Sequence, residues 1–364
     1  MIRPWRCRNR FRSVRRTGGS RGYEEVMRKL VGGLRFLRGW RNDWTVPTTG
    51  AISQARARLG SEPLRVLFER VAVPMADAGT RGSWYLQWRV MAIDGVVLDV
   101  PDTEANADEF GRTGNQNALS PFPQVRLVGL AECGTHAVVA ARLGPVRTDE
   151  RSLAAGLVPE LDGQMLLVAD RGFYGYDLWH QAAATGAQLL WRVSSTLQPP
   201  VRTVLADGSY LSILVPNRIR NRARTGRRNL TVEEIAASTP VRVIEYVIDN
   251  RNGDGEVFCL LTTILDPRDA PAAELAALYN ERWEFEIALD EIEVHQMGHG
   301  RVLRSKSPDL VKQEIWSLLI THYAIRDLMR EAADTTDYDP DRLCFMRSLR
   351  VVRRQVTDQA GFSP

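Results

Sequence analysis

From Trp84 onward the chain is built of short apolar runs broken by Gly, Asp and Pro. WYLQWRVMAID, VVLDVP, PQVRLVGLAEC and THAVVAARL are β-branched or apolar stretches of strand length. The period then changes. TDERSLAAGLVPEL reads as a helix capped by Thr148 or Asp149, MLLVAD as a short buried strand, YGYDLWHQAAATGA as a helix and AQLLWRV as another strand. Strands that first meander and then alternate with helices predict a mixed α/β sheet covered by helices over residues 84–196. Upstream, residues 23–83 read as a helical N-terminal region. YEEVMRKLVGGLRFLRGW has apolar residues near helical spacing, AISQARARLG is a helix closed by Gly60, and a third helix runs from about Pro63 to Ala78.

Residues 197–267 interrupt the alternation as a β-rich insertion, with strands near Tyr210–Val215, Val241–Ile248 and Val257–Thr263. Between the first two lies NRIRNRARTGRR, read as a loop, with Arg218, Arg220, Arg222, Arg224, Arg227 and Arg228 and no acid. Residues 268–335 return to helix. There the stretch Leu278–Met297, LYNERWEFEIALDEIEVHQM, contains no Pro or Gly and predicts a helix of about five turns. On it Tyr279, Arg282 and Glu286 share one face, with Trp283, Ile287 and Val294 as an apolar stripe beside them. A last long helix runs from Pro308 to about Ala332, and residues 336–364 form a short C-terminal segment that reads as truncated.

Composition narrows the class. Over 364 residues, 44% hydrophobic and 25% charged is ordinary for a globular protein with more than one folding unit. No apolar run reaches the length of a membrane span, and Met1–Arg21 lacks the apolar core of a secretory signal. Cys7, Cys133, Cys259 and Cys344 are isolated, without C-x-x-C spacing. A cytoplasmic, nucleoid-associated protein is expected. Residues 1–43 carry 13 basic and 3 acidic residues, a net +10 against +4 for the whole chain, so the remainder is −6. A basic leader on a mildly acidic body suggests a polyanion partner. Residues 1–22 have no period, and read equally as a disordered arm on phosphates or as a misassigned start. Arg56 and Arg58, on the middle of three short helices, suit a DNA reader of helix-turn-helix type, and equally suit helical packing without base reading. The arginines of NRIRNRARTGRR either touch a phosphate backbone or are merely solvated.

Three carboxylates carry the candidate chemistry. Asp94 closes WRVMAID, Asp170 closes MLLVAD ahead of Arg171-Gly172-Phe173-Tyr174, and Glu286 lies on the late helix. A carboxylate at the end of a buried strand needs a partner, often a metal ion. Two Mg²⁺ ions roughly 4 Å apart in such a cluster activate an attacking oxygen and stabilise the leaving one. Singly, each residue has a plainer explanation: a hairpin turn at Asp94-Gly95, an Asp170–Arg171 ion pair, a Glu286–Arg282 surface pair. His295 and His299 are spaced four apart, but Gly298 breaks the helix and H-E-x-x-H is absent. Neither a G-x-x-x-x-G-K-[ST] phosphate loop nor a G-x-S-x-G elbow occurs.

Taken together, AIDGVVLDVPDT around Asp94, VADRGFYG around Asp170 and the Y-x-x-R-x-x-x-E spacing of Tyr279, Arg282 and Glu286 resemble the DDE transposases of the insertion-sequence-four family. PTTGAISQARARLG and VLRSKSPDLVKQEIW are similar to that family's text as well, so the resemblance covers roughly Tyr23 to Pro364. It implies a ribonuclease-H-like core with a β-rich insertion between the second Asp and the Glu. It further implies Mg²⁺, or Mn²⁺ in its place, on Asp94, Asp170 and Glu286, and DNA backbone contacts from Tyr279 and Arg282, with Arg171 beside Asp170 as a further contact. The implied reaction is hydrolysis at the element's ends in double-stranded DNA, then attack of the freed 3′-hydroxyl on target DNA, with a homodimer in the DNA complex. Three departures stand out. Glu293 lies where the family has Lys, the chain stops soon after RSLRVVRRQ, and the Arg-dense start is unlike the family's. These point to a degenerate or truncated copy. Two other readings stay open: a ribonuclease-H-like nuclease without strand transfer, and a non-catalytic DNA-binding remnant.

Overall fold

The computed structural model describes residues 47–115, 118–224, 230–248, 256–298, 300, 302–336 and 338–355. The Arg-rich start, the helix expected from Tyr23, the second half of the Arg-rich segment and the last residues lie outside this set. The described chain divides into two compact units, one holding residues up to 58 with 353–355, the other residues 59–352. Helix α1 (Thr49–Leu59) begins in the first unit.

The second unit is organised by one mixed sheet. Its principal strands are β1 (Trp88–Asp99), β2 (Gln124–Glu132), β3 (Ala137–Pro145), β4 (Met165–Ala169), β5 (Gln188–Val193), β6 (Tyr210–Leu214), β7 (Thr239–Ile248) and β8 (Glu256–Thr262). Their spatial order is β3-β2-β1-β4-β5-β8-β7-β6, with two-residue strands at Trp84–Tyr85 beside β1 and Thr203–Val204 beside β6. The β1–β4 and β4–β5 pairs are parallel and the rest antiparallel. Three antiparallel strands followed by two parallel ones form the ribonuclease-H-like core expected for this α/β chain. The insertion does not stand apart from it, because β8 pairs directly with β5 and carries the sheet onward.

Helices cover both faces, because alternate residues of the buried strands are apolar on each side. One face carries Val90, Ala92, Leu166, Val168, Leu190 and Leu260. Against it pack α2 (Glu62–Val71), α3 (Glu104–Phe110), α8 (Ala272–Leu278), α9 (Trp283–Asp290) and α10 (Pro308–Asp334). The other face, with Met91, Ile93, Leu167, Ala169 and Trp191, is covered by α4 (Glu150–Ala155) and α5 (Tyr176–Ala184). Helix α2 joins this core by packing Phe68 against Trp316 of α10, with ring centroids 5.5 Å apart and the planes tilted by 37°. Two short helices, α6 (Asn217–Arg224) and α7 (Val232–Ala236), lie within the insertion, and α11 (Phe345–Gln355) buries Phe345 and Leu349 against Ile325 and Met329.

Several local expectations change. WYLQWRVMAID and VVLDVP are largely one strand, β1, which runs through Asp94-Gly95 while paired to β2 from Met91 to Asp99. Asp94 therefore neither closes a strand nor opens a hairpin. The first part of NRIRNRARTGRR is helix α6 rather than a loop. The third helix stops at Val71, short of Ala78. The long helix expected over Leu278–Met297 is broken into a 3₁₀ turn at Tyr279–Arg282, α9, and a π-helix at Glu291–Gly298. Its buried stripe is Phe285, Ala288, Leu289 and Ile292, whereas Trp283 and Ile287 are exposed. Burial, rather than helix propensity, chooses that face.

A buried ion pair locks the π-helix to α10. Arg326 Nε donates to Glu291 Oε2 at 2.8 Å, Arg326 Nη2 bonds the other oxygen, and His322 Nε2 meets Oε2 at 3.0 Å. Burial alone would raise the Glu291 pKa, but the Arg326 charge and the His322 bond hold it down to about 2. A depressed carboxylate stabilises the fold above its ordinary value of 4.5 and loses that contribution as pH falls toward about 2. Glu291→Gln is expected to cost about 3–5 kcal/mol in urea unfolding at pH 7, since Arg326 is left buried and unpaired. The gap to wild type should narrow on acidification below 4.5. A gap that stays constant with pH would remove the ion pair as its source.

Candidate active site

The parallel register sets the site. Ile93 lies opposite Ala169, and Ala169 opposite Trp191. The next residue on each strand is Asp94, Asp170 and Arg192, so three polar side chains arrive at one level on three adjacent strands. Alternation directs them to the same face as Ala92, Val168 and Leu190, the face covered by α8, α9 and α10.

A cross-strand glycine brings α9 over this row. Gly129 of β2 pairs with Asp94. A Cβ there would stand 2.9 Å from Phe285 Cζ, so the missing side chain makes room for the ring. With Phe285 seated, Glu286 and the preceding turn lie over Asp94. Arg282 bridges the two carboxylates, Nη1 donating to Asp94 Oδ2 at 3.1 Å and Nη2 to Glu286 Oε1 at 2.9 Å. The buried Tyr279 donates its hydroxyl to Asp170 Oδ1 at 3.2 Å. Asp94, Arg282 and Glu286 thus form one bonded set and Asp170 with Tyr279 a second beside it, the Arg282 guanidinium lying 6.0 Å from the Tyr279 ring. Helix α8, which leads into it, is tied to the insertion through the buried Arg242. That guanidinium bonds Asp207, Ser209 Oγ at 2.8 Å and the Ala270 carbonyl at 2.6 Å, while Asp207 also accepts from the Ala272 N–H at 2.9 Å.

The electrostatics leave Asp94 short of compensation. Burial pushes Asp94 up to about 6 against the Gly95 N–H and Arg282, which pull it down, while Glu286 and Glu150 add like charge. Arg192, not foreseen from the sequence, holds Nη1 3.9 Å from Asp170 Oδ1, rests 3.8 Å over the Phe258 ring and pairs with Glu256. Its signal was present in AQLLWRV, where a cation breaks the apolar run one residue before the strand ends. Three acids facing two guanidiniums keep an all-oxygen donor set with spare negative charge, which suits a hard divalent cation. Among the described residues, a tighter group of possible ligands is His136, Glu284 and Asp341, with ligand atoms within 4.8 Å of one another. Arg326 donates to His136 Nδ1 and His136 Nε2 stands 3.1 Å from Asp341, so this group is tied to the buried Glu291–Arg326 pair rather than to the row of Asp94 and Asp170.

The arginines separate. Arg171 and Arg220 line one groove of about 370 Å³ with Arg151, Tyr174, Ser194 and Asn217. Arg151 was not singled out from the sequence either. Arg222 is paired with Glu234 in the insertion, and the Arg224 side chain lies outside the described set. Arg56 and Arg58 lie on α1 in the other compact unit. Glu293 is exposed on the π-helix.

A ribonuclease-H-like sheet with Asp94, Asp170 and Arg192 abreast at its centre defines the class: a mixed α/β core of ribonuclease-H-like type. Residues 87–323 match the transposase DDE domain, and residues 19–69 match the insertion element 4 transposase N-terminal domain. The first match spans more than half of the chain, which belongs to the DDE transposase family. The chain is 28% identical over 344 residues to transposase InsG for insertion sequence element IS4 of Escherichia coli K12, covering 94% of this chain and 74% of that protein. It is 30% identical over 146 residues to the putative transposase InsZ of the same organism, covering 39% of this chain and 48% of that one. Among solved structures, the piggyBac transposase synaptic complex with hairpin DNA aligns with a TM-score of 0.41 at 11% identity, over 74% of this chain and 52% of that one.

The Gly129–Phe285 contact is open to a direct test. Gly129→Ala is expected to destabilise by about 1–3 kcal/mol through overpacking. Phe285→Leu in the same chain should recover part of that loss in urea unfolding. Strictly additive losses would show that the two positions do not meet.

Proposed function

We propose that the chain is a DNA transposase that cuts the ends of an insertion element and joins them to target DNA by Mg²⁺-dependent phosphoryl transfer. Asp94, Asp170 and Glu286 are its metal-binding carboxylates. The observation that supports this reading is that neighbouring residues of one turn hold all three carboxylates, Arg282 linking Asp94 to Glu286 and Tyr279 holding Asp170. The oxygen-only donor set and the raised pKa of half-buried Asp94 both favour a bound divalent cation, Mg²⁺ or Mn²⁺. When bound, such ions activate the attacking oxygen and stabilise the leaving one.

The chain's own residues supply position and charge. Arg282 and Tyr279 fix the carboxylates and present N–H and O–H groups where a DNA phosphate approaches, a role that orients an in-line displacement without a covalent enzyme intermediate. Arg171, Arg220 and Arg151 give the backbone a cationic groove. Arg222, already neutralised by Glu234, contributes less to that groove, while Arg56, Arg58 and Arg224 are further DNA contacts. Partners are the element ends and the target duplex, engaged as a homodimer in the nucleoid. Among the described residues no helix is long and apolar enough to cross a membrane.

Asp94→Ala, Asp170→Ala and Glu286→Ala are each expected to abolish end cleavage in Mg²⁺ or Mn²⁺ while end-DNA binding is largely kept. Retained cleavage in one variant removes that residue from the metal site. Nicking of end DNA without joining in a strand-transfer assay supports the nuclease reading, and binding without nicking supports the non-catalytic remnant. Glu293 bears on whether this copy is degenerate, because a carboxylate there repels the phosphate a lysine would attract. Glu293→Lys is expected to strengthen end binding or cleavage several-fold, and no gain in either would show the position to be silent.

A further inference from the structure

Glycine inside a buried strand is an unfavourable choice, costing about 0.5–1 kcal/mol relative to alanine, and marks a place where something comes close to the backbone. Gly95, directly after Asp94, is such a position. A Cβ there would fall onto Glu150 Oε1 and would stand 3.1 Å from the Leu127 carbonyl. The other oxygen, Glu150 Oε2, lies 3.9 Å from where a Cβ on Gly172 would be, two residues after Asp170. The Glu150 carboxylate therefore lies between Gly95, the residue after Asp94, and Gly172, two residues after Asp170. It arrives from α4, on the sheet face opposite α9.

Its compensation is incomplete. Arg126 Nη1 reaches Oε1 at 3.3 Å, and that guanidinium also donates to the Val146 carbonyl at 3.3 Å. No hydrogen-bond donor among the described residues meets Oε2. Glu150 adds like charge to Asp94 while one of its own oxygens is uncommitted, an arrangement unfavourable by itself. It becomes favourable when a cation is shared among them.

We infer that Glu150 is a fourth carboxylate of the metal site, reaching the bound cation through the gap left by Gly95. Glu286 and Glu150 then grip the cluster from the two faces of the sheet. The inference rests on the proposed role of Asp94 and Asp170.

The test is Mn²⁺ binding to the full chain without DNA, followed by electron paramagnetic resonance, with thermal melts confirming that each variant is folded. Glu150→Gln is expected to weaken Mn²⁺ binding roughly ten- to hundredfold, the loss usual when a group supporting a metal site is removed. Gly95→Ala should weaken it in the wild-type background and add little once Glu150 is already Ala. Arg126→Gln should leave the affinity unchanged or tighter, because it frees the carboxylate. If Arg126→Gln weakens binding as much as Glu150→Gln, the pair is structural and the inference fails. Asp94→Asn is the reference. Loss of binding there with none in Glu150→Gln overturns the fourth carboxylate and leaves the site standing. No loss in either overturns both.

Discussion

The parallel register of three central strands is the constraint on which the rest depends. Pairing Ile93 with Ala169 and Ala169 with Trp191 leaves Asp94, Asp170 and Arg192 abreast. A slip of one residue would send any of them to the opposite face, into the layer of Ile93, Phe173 and Trp179. Burial on both faces makes such a slip very unfavourable, since each strand would move its whole apolar set. The hydrophobic core thus fixes the placement of its own polar exceptions.

Helix α9 completes that placement by a contact between two apolar partners. Phe285 fills the space that Gly129 leaves beside Asp94, and everything polar about the helix follows from where that ring sits. The segments on either side are held by buried ions: Arg242 with Asp207 ahead of it, Glu291 with Arg326 behind it. Such pairs contribute little net stability over an apolar alternative, yet each is demanding of geometry. They hold in register a run that changes from 3₁₀ to α to π within twenty residues, where a uniform helix would need no such ties.

Much of this was legible in the chain. The strand and helix alternation, the insertion and the shared face of Tyr279, Arg282 and Glu286 follow from period and spacing, while the choice of the acids at positions 94, 170 and 286 as one set came from the resemblance of their motifs to the family. What was not legible depended on partners distant in sequence. Asp94-Gly95 has turn chemistry, and only pairing with β2 keeps it extended. Trp283 and Ile287 are as apolar as Phe285, and only the position of the sheet decides which of them is buried. Arg192 and Glu150 are unremarkable in their own segments, and acquire meaning from the neighbours that register and Gly95 bring to them.

The continuity of β5 with β8 has a consequence for how this protein can be altered. The insertion shares its sheet, and part of its core, with the rest of the unit. Excising it would bare the inner edge of β5, a row of unpaired amides and carbonyls flanked by Leu190 and Trp191, which is a template for association with other chains. The same cut would remove Phe258 and Glu256 from beneath Arg192. A shortened form is therefore an aggregation hazard before it is a question of activity, and the insertion behaves as a wall of the building rather than an annex.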